Sequence, residues 1–511
     1  MKKEKVKKIM ALLIVLFMVT SCVMMAGTVA AKGPKSTEKE EQGVKEVLRE
    51  LSDMEDFRGS QVGIEVKEEW GPSQIANAVA IENQRVSALN AQSNVDPIVN
   101  ILWTHLGAFR AVAVGDLNGD ARDDIVAVIN DYNEDIYTLR AFNGLDGSVL
   151  WSSDALDGCG TNLAIGDIDG DGRNEVVTGD WDYAYAFEHD GTLKWSLDDV
   201  DYIIDMAIGD LNGENEVVFA HGSGTTYGTT AVYGTNGTVW WSSEYYCAKG
   251  VAIGDIDGDG DNEVVSGGND DYATAYDGDG TFLWEYSTGG EVQVIRIADL
   301  NGDGTNEIIV GCSSGYVYAL NESGDEVWTW EEPSGYCISM KAQNLMGIGD
   351  LDGDGKNDIA FGVGYDSGGI VYALKGGDGT ELWNYTTGGG CIKGTVVGDV
   401  NCDSVNEVAV VTGYYDEWAR VCIFDNEGNL LWDFDMPEDN CARTIAIGDI
   451  DRDGTEELVV GTGPYYEVGY LYTIDFPKAK VPALTPVGII ALIGLLSVVA
   501  AISIVRKREG K

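Results

Sequence analysis

The sequence predicts an all-β chain folded as an eight-bladed β-propeller of four-stranded antiparallel blades closed by an N-terminal strand, and two periodic signals predict it. Between residues 116 and 457 one phrase recurs eight times: a short apolar run ending in Gly-Asp or Ala-Asp, an acidic loop, then Asn-Glu-Val-Val or a variant. The copies begin at Asp116, Asp167, Asp210, Asp255, Asp299, Asp350, Asp399 and Asp449, a spacing of 43 to 51 residues, which is the length of a repeated supersecondary unit. A tryptophan closes each unit, at Trp151, Trp195, Trp241, Trp284, Trp328, Trp383 and Trp432.

Within a unit the strands follow from local pattern. In repeat two the run before the loop is the first strand and Glu175-Val176-Val177-Thr178-Gly179 the second. Ala184-Tyr185-Ala186-Phe187 is the third, and a tight Asp-Gly turn leads to a fourth ending in Trp195. Four short strands joined by hairpin signals in about 45 residues make one propeller blade. An eighth Trp strand, Ile101-Leu102-Trp103, stands alone before the first repeat, while the last repeat stops at Tyr470–Ile474 without its own. The two fragments complete each other, so the N-terminal strand is expected to close the final blade and remove the open sheet edges. Seven blades is the competing count, should the third repeat, two residues short in its loop, fail to form a sheet.

The acidic loops place oxygen donors at positions 1, 3, 5 and 9, with a backbone carbonyl at 7 and Gly at 6 for the sharp turn. Several oxygens on one short loop suit a hard cation, Ca2+. Five loops carry every element: Asp167, Asp169, Asp171, Glu175; Asp255, Asp257, Asp259, Glu263; Asp299, Asn301, Asp303, Glu307; Asp350, Asp352, Asp354, Asp358; and Asp449, Asp451, Asp453, Glu457. The first loop (Asp116, Asn118, Asp120, Asp124) has Ala121 at position 6 and the seventh (Asp399, Asn401, Asp403, Glu407) has Ser404, and weaker binding is expected of both. The position-7 carbonyls are those of Arg122, Arg173, Asp261, Thr305, Lys356, Val405 and Thr455. The third loop, Asp210 to Glu216, is short and is expected to be empty. Ordinary surface turns are the competing reading, and seven matches in register argue against it.

The recurring phrase resembles the FG-GAP and VCBS repeats of integrin α-like propellers, and the Asp-Gly-x-x-Leu-Trp ends, as at Asp378–Trp383, resemble those of eight-bladed quinoprotein-like propellers. The resemblance covers about residues 100 to 477. It implies a propeller and Ca2+, and the integrin-like part implies a non-enzymatic surface binding or adhesion module for a glycan or protein ligand. The alternatives are a secreted polysaccharide-acting or quinoprotein-like enzyme, for which no catalytic cluster is evident, and a structural envelope component.

Composition bounds the partners. With 85 acidic against 33 basic residues the net charge is −52, which disfavours nucleic acid. Both ends address the chain to a membrane. Residues 1–31, basic then apolar, read as a secretory signal, with Cys22 in an alternative lipobox; 32–95 are a charged, partly helical spacer. The propeller spans 96–477, a linker 478–486, an apolar transmembrane helix 487–505 and a basic cytoplasmic tail 506–511, unless the tail is cleaved. The expected location is the cell surface with the propeller outside.

Setting Cys22 aside, eight cysteines remain, and five of them (Cys159, Cys247, Cys337, Cys391, Cys441) fall at the starts of first strands. They form disulfides, for instance Cys391 with Cys441 or Cys312 with Cys337, or they are buried thiols. The three histidines, His105, His189 and His221, read as ordinary surface residues. The short tether is expected to turn the loop face toward the membrane and leave the opposite face to a ligand. That face carries Trp181, Tyr183, Tyr227, Tyr272, Tyr365, Tyr414, Tyr415, Trp418, Tyr465 and Tyr466, which are either aromatic anchors or covers of strand ends. Glycosylation sequons stand at Asn236, Asn321 and Asn384.

Overall fold

The computed structural model describes residues 100–476, apart from 132–135, 157–161, 224–225, 244–247, 337–345, 366–367, 415–416, 436–441, 464–468 and the single residues 180, 199, 201 and 389. The expectations for the signal, spacer, linker, apolar helix and tail fall outside these residues. All regular structure among the described residues is β, and no helix there is long and apolar enough to cross a membrane.

Each repeat folds on itself in chain order. Repeat two, for example, pairs Asn162–Gly166, Glu175–Gly179, Ala184–Phe187 and Leu193–Leu197 as successive antiparallel neighbours. Six such four-stranded sheets occur, together with one sheet of seven strands. The seven-stranded sheet arises because Asn100–Gly115 serves two ladders. Its first half pairs with Gly469–Asp475 of the last repeat, and its second half with Asp124–Asp131 of the first. The third repeat, despite its missing residues, forms a complete sheet: Asp210 pairs directly with Asn215, and Gly213 turns the shortened loop at φ 101°.

No single core holds the chain. Eight apolar clusters lie between successive sheets, from that of repeats one and two (Val126, Leu139, Val176, Phe187) to that of repeats eight and one (Trp103, Phe109, Ile125, Val459). The reason is the strand pattern. The second strands, such as Glu263–Gly268 and Glu307–Cys312, are buried along their whole length. A strand apolar on both faces must be covered by a neighbour on each side.

The closing tryptophans fasten each sheet to the next. Trp103, Trp151, Trp195, Trp241, Trp284, Trp328 and Trp383 donate Nε1–H to the carbonyls of Gly144, His189, Gly234, Gly278, Glu322, Gly376 and Asn426 at 2.7–3.1 Å, each in the next repeat. Their rings lie against turn glycines at positive φ, Gly147 under Trp103 and Gly379 under Trp328, where a Cβ would stand within 2.6 Å of the indole. The glycine in the third-to-fourth turn is therefore required twice, by backbone conformation and by the ring above it. Trp432 is the exception: its Nε1 has no partner among the described residues, and the ring stacks on Phe434 at 5.6 Å instead. In the next repeat the strands that such a turn would join are Gly469–Asp475 and the N-terminal strand, which are far apart in sequence.

Cys312, Cys391 and Cys422 are buried free thiols and Cys402 an exposed one, so neither disulfide named from the sequence is present at Cys312 or Cys391. Cys391 instead donates to the Gly413 carbonyl at 3.2 Å. Cys159, Cys247, Cys337 and Cys441 lie outside the described residues. His221 is buried rather than on the surface, 5% exposed, with Nε2 2.8 Å from the Thr230 hydroxyl.

Candidate metal centres

Each acidic loop runs from the end of a first strand to the start of a second, and its own amides fold it around its carboxylates. In repeat four, Asp255 accepts from the N–H groups of Gly258 and Gly260, Asp257 from Asp259, and Asp259 from Asp261. The position-9 acid is the anchor. In all eight repeats one of its oxygens accepts the N–H of position 2, as Glu175 does from Ile168 at 3.0 Å and Glu457 from Ile450 at 2.9 Å. These acids are buried, 5% exposed or less. Burial pushes Asp124 up to about 6, Glu175 and Glu263 to about 7, and Glu407 and Glu457 to about 8, with neighbouring loop carboxylates adding to the shift.

What satisfies the second oxygen of that buried acid alternates around the chain. Loops one, three, five and seven have asparagine at position 3, and the amide of Asn118, Asn212, Asn301 or Asn401 donates to the position-9 acid, at 2.5 Å in loops three, five and seven. Loops two, four, six and eight have Asp169, Asp257, Asp352 and Asp451 there. These are the loops in which three carboxylates bring oxygens within 4.8 Å of one another: Asp167, Asp169 and Glu175; Asp255, Asp257 and Asp259; Asp350, Asp352 and Asp358; Asp449, Asp451 and Asp453. Oxygens bound to one Ca2+ at 2.3–2.6 Å lie within about 5 Å of each other, so the donor sets fit that ion. In loop two Glu175 is fully buried and its Oε1 has no hydrogen-bond partner among the described residues, an orphaned acceptor of the kind a cation satisfies.

Two of these four loops also meet an ammonium. Lys194 lies 2.5 Å from Asp169 and 2.9 Å from Glu188, and holds Asp169 below the usual carboxylate range; Lys375 lies 2.5 Å from Asp352 and 2.8 Å from Asp354. No lysine or arginine forms an ion pair with the loop-four or loop-eight acids among the described residues. The position-7 residues Arg122, Arg173, Asp261, Thr305, Lys356, Val405 and Thr455 all donate their N–H to the position-5 carboxylate. Ala121 and Ser404 adopt the left-handed conformation that the sequence pattern assigns to glycine, at φ 63° and 69°, and so do Cys402 and Arg452 at position 4, φ 59° and 61°. Loop seven thus holds two strained non-glycine residues. In the sequence the expectation of weaker binding rested on position 6 alone.

A second feature escaped it. The asparagine at position 8 links each loop to the one before: Asn174, Asn215, Asn262, Asn306, Asn357 and Asn406 donate Nδ2–H to the carbonyls of Asp116, Asp167, Asp210, Asp255, Asp299 and Asp350. Repeats eight and one have Glu456 and Asp123 there. Their backbone N–H groups take over, reaching the carbonyls of Asp399 and Asp449 at 3.5 and 3.3 Å. The eight loops are hydrogen-bonded in a closed circle, so a cation that orders one loop is linked to its neighbours on both sides. The recurrence of Asn before Glu-Val-Val was the available signal.

Of the aromatics named from the sequence, Trp181 is 61% exposed and tilts against Tyr202, 42% exposed, at 6.2 Å. Tyr183 is partly buried beside Tyr185, and Tyr272 is 37% exposed. Tyr227, Tyr365, Tyr414 and Trp418 stand on strands, with side chains outside the description; Tyr415, Tyr465 and Tyr466 lie outside the described residues. Asn236 and Asn384 are exposed and Asn321 partly so.

Two family models match the chain: an FG-GAP-like repeat over residues 255–310 and the λ-carrageenase β-propeller domain over 289–346. The chain carries FG-GAP-like repeats on a β-propeller. Among solved structures it is similar to the V. cholerae biofilm matrix protein Bap1 (16% identity, TM-score 0.51, covering 75% of this chain and 89% of that one). It is also similar to Saccharomyces cerevisiae Sqt1 (10%, TM-score 0.55, 72% and 96%) and to the quinohemoprotein alcohol dehydrogenase of Comamonas testosteroni (13%, TM-score 0.51, 77% and 78%). At such identities the likeness is one of fold. No curated protein sequence matches the chain.

Proposed function

We propose that the protein is an extracellular, membrane-anchored, calcium-binding β-propeller that acts as a non-enzymatic binding or adhesion module. The reading of eight blades, one for each acidic loop, is supported by the two separate ladders of Asn100–Gly115 in the seven-stranded sheet. The observation that carries the metal reading is the set of four three-carboxylate clusters, with the orphaned, fully buried Glu175 Oε1 in one of them. Loops two, four, six and eight hold Ca2+ more tightly than loops one, five and seven, because affinity for a hard cation follows ligand charge and the asparagine loops have one carboxylate fewer. The position-7 carbonyls complete each cage. The ions are structural: they neutralise clustered carboxylates and stiffen a ring of loops already hydrogen-bonded to one another.

The ligand is a glycan or protein met on the face opposite the loops, with Trp181 and Tyr202 as an exposed aromatic platform for a sugar face or an apolar side chain. Asn236, Asn321 and Asn384 are glycan acceptors, and the apolar segment 487–505 tethers the propeller to the membrane. Binding of the full-length protein to a glycan array, with calcium and with chelator, tests the reading. Calcium-dependent retention on a defined glycan, lost in Trp181→Ala, is the expected result. Turnover of a polysaccharide or alcohol substrate by the same preparation would overturn it.

A further inference from the structure

Where the third strand of repeat two enters its turn, a histidine joins the acids. In the ladder between Glu175–Gly179 and Ala184–Phe187, Val176 stands opposite Phe187. The next residues outward, Glu175 and Glu188, therefore face one another across the two strands, and His189 follows in the turn. The turn is also held from the preceding repeat: Trp151 donates Nε1–H to the His189 carbonyl at 2.9 Å, and its ring lies against Gly191. Four other repeats carry glycine at the position of His189, namely Gly144, Gly234, Gly278 and Gly376, each the acceptor of a closing tryptophan. A Cβ on any of these four would stand within 2.7 Å of a backbone carbonyl oxygen. Repeat two thus places an imidazole where four repeats leave no room for a side chain.

Glu175, Glu188 and His189 each bring a donor atom within 4.8 Å of the other two, and no other such set among the described residues includes a nitrogen. Glu175 is fully buried with Oε1 unpartnered, and Nδ1 of His189 is likewise buried and without a hydrogen-bond partner among the described residues. Of the two ring nitrogens, Nε2 is met by the exposed guanidinium of Arg173 at 2.5 Å, which leaves Nδ1 to a metal. When an ion takes Nδ1, the ring proton sits on Nε2 and Arg173 turns to solvent. Lys194 already brings positive charge to this corner, 2.9 Å from Oε1 of Glu188 and 2.5 Å from Asp169. Calcium takes oxygen ligands, whereas imidazole suits zinc and its neighbours, which also accept carboxylates. One imidazole with two carboxylates therefore selects a borderline divalent ion over calcium.

We propose that repeat two binds one divalent ion of the zinc class through Glu175 Oε1, Glu188 and His189 Nδ1, with water in the fourth position. The site shares Glu175 with loop two but does not rest on calcium binding there. It is tested on the untagged, metal-free, full-length protein by calorimetric titration with Zn2+ and by electron spin-echo spectroscopy with Cu2+, which detects imidazole nitrogen at the metal. The proposal expects one zinc ion held more tightly than any other, and imidazole modulation at one equivalent of copper. His189→Gln and Glu188→Gln should each weaken that zinc by at least about tenfold, the cost of losing even a supporting contact at a metal. His189→Gln should also abolish the copper signature while leaving calcium binding by the loops unchanged. Lys194→Met, which removes a competing ammonium, should tighten zinc several-fold, and His105→Gln, on the N-terminal strand, should change nothing. Should His189→Gln fail to fold, as circular dichroism would reveal, Glu188→Gln and the wild-type copper spectrum decide. Only weak, multiple zinc binding, absence of imidazole modulation, or wild-type zinc affinity in the folded variants overturns the proposal, whether or not the loops hold calcium.

Discussion

Replacing Asn301 by Asp turns loop five into a copy of its neighbours, and its effect should change sign with calcium. The Asn301 amide donates to Glu307 at 2.5 Å, and Glu307 is buried. Aspartate removes that charge-assisted bond, worth about 1.5–3 kcal/mol, and sets a second carboxylate against Glu307, a repulsion on the order of 4 kcal/mol at 4 Å in a partly screened site. Burial already raises the Glu307 pKa, so proton uptake relieves part of the repulsion. The net cost to the metal-free fold is then about 2–4 kcal/mol. For a domain of this size that corresponds to a melting temperature lower by roughly 2–6 °C. With calcium the added carboxylate is a ligand, so Asn301→Asp should melt at or above the wild-type temperature and bind the ion more tightly. Differential scanning calorimetry in EDTA and in millimolar calcium measures both. Equal shifts in the two conditions, or a stabilised metal-free variant, would refute the argument that the asparagine amide stands in for a cation.

Two further outcomes follow from the same geometry. Trp328→Phe orphans the Gly376 carbonyl and should cost about 2–4 kcal/mol in denaturant unfolding, whereas Trp432→Phe, which loses no hydrogen bond, should cost about 1 kcal/mol; equal costs would count against the tryptophan fastening. The position-9 acids predict a pH effect. Because burial raises Glu175 and Glu263 to about 7 and Glu407 and Glu457 to about 8, their contribution to metal-free stability is full below the unfolded value near 4.5 and is lost as pH rises through 7–8. Calcium needs the ionised form, so binding should release protons between about pH 5 and 8 and strengthen with pH across that range. Titration calorimetry in buffers of different ionisation enthalpy reads the proton count, and a count of zero at pH 6.5 would contradict it.

The fold was legible because the repeat wrote its rules eight times. The tryptophans, the turn glycines and the split last repeat located the sheets and the strand that joins the two ends. The shortened third loop proved compatible with a full sheet, because Gly213 closes a tighter turn between strands already in register. The carboxylate clusters of loops two, four, six and eight were readable as well, since acids that could hold a metal ion recur at fixed loop positions. The bonds between loops were not: a position-8 asparagine acts through a carbonyl some 50 residues away, and local spacing carries no information about that partner. Nor was the left-handed conformation at Cys402 and Arg452, where the circle of loops overrides residue preference. The aromatic residues were judged by exposure alone, and Tyr202, partner of Trp181, went unnoticed.

The measurement that bears most directly on the account is calcium content set against stability in the full-length protein. Elemental analysis after dialysis against calcium should find at least four tightly held ions per chain, one for each loop with aspartate at position 3, and exhaustive EDTA should lower the melting temperature. Protein without bound calcium, melting at the same temperature before and after chelation, would contradict it.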